Sequence, residues 1–303
     1  MAMLLTIPLL QLPLDIDDAS ITKSGINGTS RISYNQPATS MSNAIHVIAL
    51  RRIWARIHTC VYSRSELGDV DDTTRQAHVA QLRSDLDEWL ATAPEPSARQ
   101  GTRLSIFSTK AWYNLNYSGT ILQLYRGQLA EHKGTPDEVF IDCVRAASNV
   151  CQLYRRQYIG TTIKYTWGTL HFLFLAGLTY LHCLWTSPAA CASVTHGEVS
   201  KTCTDCTMVL VVIAEGWESA SPYRDIFEVL ASRTLSMIVS RAIGPQLPPA
   251  TPALSDSSDR EAVTQWIADI NDNNILAGFD DLLAGFVDDF AYTMHDESHM
   301  DTR

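Results

Sequence analysis

From about residue 42 onward the apolar positions recur every three or four residues, the period of a helix with one face on a core. Ile45, Ile48, Ala49, Ile53, Ile57, Cys60 and Val61 form one such stripe, with Arg51, Arg52 and Arg56 on the polar side. A second helix is predicted over 72–91, with Val79, Leu82, Leu86, Trp89 and Leu90 facing inward. The Ala93-Pro-Glu-Pro96 stretch stops it, because proline lacks an N–H and clashes with the preceding turn. A third helix spans about 104–130 and a fourth about 136–157, with Gly134 and Pro136 between them and Gly160 after. The fifth contains WGTLHFLFLAGLTYLHCLW, residues 167–185, and Ser187-Pro188 closes it. After a loop comes a sixth at about 198–218. A seventh starts at Ser221-Pro222, serine as N-cap and proline at the first helical position, and runs to Ala242 before Gly244-Pro245. No stretch shows the strict alternation of a half-buried strand.

The fifth helix decides the architecture. No Asp, Glu, Lys or Arg occurs from Tyr165 to Gly197. A helix apolar nearly all round belongs in a protein core or in a bilayer, and 167–185 is long enough for a hydrocarbon layer of about 30 Å. Against a span, the run holds His171, His182, two Thr and two Gly, and basic residues are sparse on both sides. The amphipathic helices around it also need something to bury. The expected fold is therefore all-α, a single multi-helix domain built around a buried apolar helix at about 166–186. Residues 1–41, rich in Pro, Ser, Thr and Asn, read as irregular; 42–243 is the helical body; 244–258 is a Pro/Ser linker; 259–303 is a tail of another kind.

Charge sets that tail apart. The chain carries -10, and residues 254–303 alone hold twelve acidic residues and two basic ones, leaving 21 of each sign in residues 1–253. A neutral body with an acidic tail lacks the basic face that nucleic acid requires. Within the tail, Asp280-Asp281 and Asp288-Asp289 bracket Leu282, Leu283, Phe286 and Val287, with Phe290 following. Such acidic-apolar segments become helical in a partner's groove, the apolar residues binding and the acids keeping them soluble. The other reading of 266–292 is a terminal helix packed on the chain's own body.

The short motifs that announce chemistry are missing: there is no H-E-x-x-H, G-x-S-x-G, G-x-G-x-x-G or G-x-x-x-x-G-K-[ST]. Cys203-Thr-Asp-Cys206 could offer two thiolates to zinc, but a structural site needs four ligands and no second such pair exists, so no metal is expected. The seven cysteines are odd in number and most sit in apolar helical patterns, which fits reduced thiols of an intracellular protein better than a disulfide framework. The N-terminal stretch lacks a basic region and is interrupted by prolines, unlike a signal peptide. Glu215 and Glu218 flank Trp217 and read most simply as exposed carboxylates near a helix end.

Several stretches, in order, resemble the fungal-specific transcription factor domain, the regulatory region of zinc binuclear cluster activators. They are Leu12-Pro-Leu-Asp-Ile-Asp-Asp18, His46 to Tyr62, Leu86-Asp-Glu-Trp89 with Pro94, Tyr117 to Arg126, 171–185 with Pro188, and Ala214 to Leu230. The resemblance implies an all-α fold and transcriptional regulation in a fungal nucleus. Gly127 stands where that family usually has proline, and Gly216 where it has arginine. The six-cysteine zinc cluster typical of the family, with its basic residues and coiled coil, matches nothing in this chain. No zinc ligand or DNA-contact residue is therefore assigned. The expectation is a truncated or stand-alone regulator without autonomous DNA binding, located in the nucleus or cytoplasm. Its expected partners are a small-molecule effector, the transcription machinery or another regulator reached through the tail, and a second copy of the chain.

Aromatic and histidine density marks Tyr117, Tyr125, His171, Phe174, Leu178, His182 and Trp217 as candidate ligand-binding residues. His171 and His182 are three turns apart on one helix face; no carboxylate on that helix orients them, so core histidines with backbone partners are the plainer reading. An alternative function is an enzyme of a fungal biosynthetic pathway, with His171, His182 or Tyr117 as acid–base groups in a cyclisation or isomerisation.

Overall fold

Among the described residues the helical periodicity is realised almost throughout. The computed structural model describes residues 12–62, 72–95, 109–131, 134–158 and 166–243. The linker and the acidic tail, including Leu282, Leu283, Phe286, Val287 and Phe290, lie outside the described residues. Among the described residues the elements are α1 (Ser42–Ile57), α2 (Asp72–Ala91), α3 (Lys110–Glu131), α4 (Asp137–Tyr158), α5 (Trp167–Thr186), α6 (Pro188–Ala192), α7 (His196–Gly216) and α8 (Ser221–Ile243). A five-residue π-helical turn, His58–Tyr62, continues α1. The chain divides into two compact units, Met1–Thr120 and Ile121–Arg303.

In the first unit α1 packs on α2. The face of α1 that turns inward is His46, Leu50, Ile53 and Ile57, not the stripe through Ile45, Ile48 and Ala49; Ile48 is 39% exposed. The reason is His46. Its imidazole stacks on the Trp89 ring at 4.6 Å and 11°, and Tyr113 meets it edge-on at 5.3 Å. The Trp89 indole also donates to the His46 carbonyl at 2.9 Å. A neutral imidazole has apolar faces, so it can occupy a core position despite its two ring nitrogens.

Residues 12–41 are tied to the start of α1. Asp15 accepts hydrogen bonds from Thr39 Oγ1 at 2.5 Å and Ser42 Oγ at 2.7 Å, and Arg31 Nη1 lies 3.5 Å from it. Ile16 beside it is buried. Asp17 accepts from the Ser40 amide at 2.9 Å. Two acids of the LPLDIDD stretch thus staple the segment to the start of α1. A two-residue antiparallel hairpin, β1 (Ile21–Thr22) with β2 (Gly25–Ile26), interrupts a region expected to be irregular.

In the second unit α5 is the central element, packed against α4, α6, α7 and α8. It is long and apolar enough to cross a membrane, but 72% of its most apolar window is buried inside the protein. That burial identifies it as a core helix. Thr166 caps its first turn, accepting from the Thr169 amide at 3.2 Å. Gly177 lets α8 approach: a Cβ there would stand 2.6 Å from the Phe227 ring and 2.9 Å from Cys206 Sγ. At its end Ser187 has two roles. Its amide bonds the Cys183 carbonyl, closing α5, and its hydroxyl accepts from the Ala190 amide, opening α6 with Pro188 in the first turn. The expected loop after Pro188 is therefore a short helix. α8 begins at Ser221 itself, preceded by a turn of 3-10 helix, so Ser221 lies within the helix.

Candidate functional site

α5 distributes its polar side chains between the core and one end. Near its start, Trp167 and His171 lie one turn apart and the rings meet at 4.4 Å. His171 is oriented at both nitrogens: Nδ1 lies 3.0 Å from the Trp167 carbonyl, and Nε2 is 3.4 Å from the Tyr223 hydroxyl of α8. Trp217, which ends α7, packs edge-on against Trp167 at 4.5 Å. Tyr223 touches Trp167, His171 and Phe174, with ring centroids 5.9, 5.5 and 5.1 Å away. Burial raises the Tyr223 phenol above its ordinary range, so the hydroxyl stays protonated. The result is one aromatic group whose inner members, Phe174 and Tyr223, are buried, while Trp167 and Trp217 remain 38% and 37% exposed.

Three of the sequence-derived candidates, His171, Phe174 and Trp217, thus join one group through Trp167 and Tyr223. The others stand elsewhere. Eleven residues separate His182 from His171, about 16 Å along the helix axis. His182 is buried, its Nε2 3.4 Å from the Leu129 carbonyl and its Nδ1 3.4 Å from Thr186 Oγ1. Leu178 and Tyr125 are buried. Tyr117 belongs to the first unit, where its hydroxyl donates to Asp87 at 2.6 Å. Burial, reinforced by that carboxylate, pushes the Tyr117 phenol up to about 12.

Two further groups come together only in the fold. The first is the His46–Trp89–Tyr113 cluster. Burial, with a smaller contribution from the Arg31 charge, lowers His46 to about 4, and its Nε2 has no hydrogen-bond partner. Tyr113, pushed up to about 12 by burial, donates to Asn43 at 2.7 Å. The second is a set of core thiols. Cys143 neighbours Cys183 and Cys151 neighbours Cys206, and all four are buried. Burial drives Cys183 and Cys206 well above the usual thiol range and Cys203 to about 12, which disfavours the nucleophilic thiolate. Among the described residues no group of three or more His, Cys, Asp or Glu side chains converges on a metal position.

No family model matches the chain, and no solved structure matches it. Over 191 residues the chain is 27% identical to a positive regulator of purine utilization from Emericella nidulans. The match covers 54% of this chain and 18% of that protein. It is also 27% identical over 126 residues to a transcriptional regulatory protein of Saccharomyces cerevisiae, covering 35% of this chain and 9% of that protein. Both relatives are fungal transcriptional regulators. The chain spans less than a fifth of the length of either.

Proposed function

We propose that this chain is the helical regulatory part of a fungal transcriptional regulator, acting in the nucleus through protein or effector contacts rather than by binding DNA itself. The observation that carries the reading is the similarity to two fungal transcriptional regulators, over as much as 191 residues. The equal numbers of acidic and basic residues in 1–253, 21 of each, support it, since a DNA-binding surface carries a net basic charge. Within this reading the aromatic group around His171 and Trp217 is the contact surface of the body. The tail residues Leu282, Leu283, Phe286, Val287 and Phe290 engage the transcription machinery.

Transcript profiling tests the regulatory role. A strain lacking the chain should show a defined set of transcripts shifted together, restored on re-expression. A profile identical to the parent strain under all nutrient conditions would overturn the proposal.

A further inference from the structure

The exposed edge of the aromatic group carries a charge pattern that specifies what can lie on it. Trp167 and Trp217 expose more than a third of their surface while packed on each other at 4.5 Å. Behind them His171 and Tyr223 hold Trp167 in place through ring contacts at 4.4 and 5.9 Å. Two residues before Trp217 is Glu215 and one after it is Glu218, both exposed, and neither has an ion-pair partner among the described residues. The next cation along the chain, Arg224, is engaged by Asp225 at 2.6 Å. Exposed indole surface, with two exposed carboxylates within two residues of Trp217 in sequence, is complementary in chemistry to a cation with an apolar stem.

From this juxtaposition we propose that the patch is a docking site for a basic peptide segment of a partner protein, an arginine or lysine lying across the Trp167–Trp217 rings with its charge on Glu215 and Glu218. The chain's own tail is the wrong occupant. Its net charge of -10 would be repelled by the same two carboxylates. A guanidinium suits the place best, because it stacks on a ring face and forks to a carboxylate at once. The proposal names a partner class for the body's contact surface and so rests on the regulatory reading above; failure in the assay below would leave the transcript result untouched.

The test is fluorescence anisotropy of a labelled peptide alternating arginine and leucine, titrated with the full chain. Saturable binding is expected, weakening as salt is raised. A peptide with citrulline in place of arginine should not bind. Affinity should fall about two- to fivefold in Trp217→Leu and by a similar factor in Glu215→Gln/Glu218→Gln. The acidic tail is present in every variant, so attraction to the tail alone appears as equal binding by all of them. Equal binding, binding of the citrulline peptide, or no binding by the parent chain each overturns the proposal. If Trp217→Leu loses helicity, the carboxylate pair decides, since both side chains are exposed.

Discussion

Asp15 shows how one carboxylate can organise a segment that has no periodicity of its own. It gathers Thr39, Ser42 and Arg31, residues 16 to 27 positions away, around one partly buried site. Asp15→Ala removes the acceptor of charge-assisted hydrogen bonds and leaves Arg31 largely buried without its counter-charge. The expected loss is about 2–3 kcal/mol in urea denaturation, with the first unit unfolding earlier. His46 makes a second prediction, with a sign. Its folded value of about 4 lies below the usual 6.5, so between those values the unfolded chain takes up a proton that the folded chain refuses. Stability contributed by neutral His46 is complete above pH 6.5 and is lost as pH falls toward about 4. A denaturation series over that range should show the decline, and His46→Gln should remove the part due to this residue. Neither role was legible in the sequence. Pairings between distant polar side chains leave no periodic trace, and counting histidine as polar rotates the inferred core face of α1 away from His46.

Among the helices, the long ones were legible because their period and their stops agreed. Residues 72–91 illustrate this: four of the five side chains expected inward, Val79, Leu82, Leu86 and Trp89, are buried, and Pro94 follows the helix closely. α6 was not legible, since five residues of Pro, Ala and Cys are too few to display a period. α5 posed the hardest question, and composition alone could not separate a core helix from a membrane helix. What distinguishes them is packing, and Gly177 is its sensitive point. Alanine in place of an ordinary helical glycine gains about 1 kcal/mol. Here the added methyl would meet Phe227 and Cys206 well inside contact distance, so Gly177→Ala should cost about 1–3 kcal/mol. Gly216, where an added methyl would meet nothing within 4 Å, should accept alanine with no loss or a gain of up to about 1 kcal/mol. Thermal melts of the two variants compare them directly, and equal destabilisation would contradict the close α5–α8 approach.

For the whole molecule, charge segregation was the clearest signal in the sequence and bears most on function. Body and tail differ in net charge by the full -10 of the chain. The aromatic surface was half legible. His171, Phe174 and Trp217 stood out through aromatic and histidine density, whereas Trp167 and Tyr223 joined them only once α5 and α8 were seen to meet. Helical phase puts His182 on one face with His171, but a shared helix face does not bring together residues three turns apart. The most direct test of the proposed regulatory role is to tether the chain to a promoter. The full chain, residues 1–243 and residues 244–303 would each be fused to a heterologous DNA-binding domain and expressed in a fungal reporter strain. Regulation by the full chain is predicted when tethered, with activation retained by 244–303 and reduced in 1–243, and no effect of the untethered chain on the same promoter. A reporter indifferent to all three tethered fusions, at equal protein levels, would contradict a regulatory role.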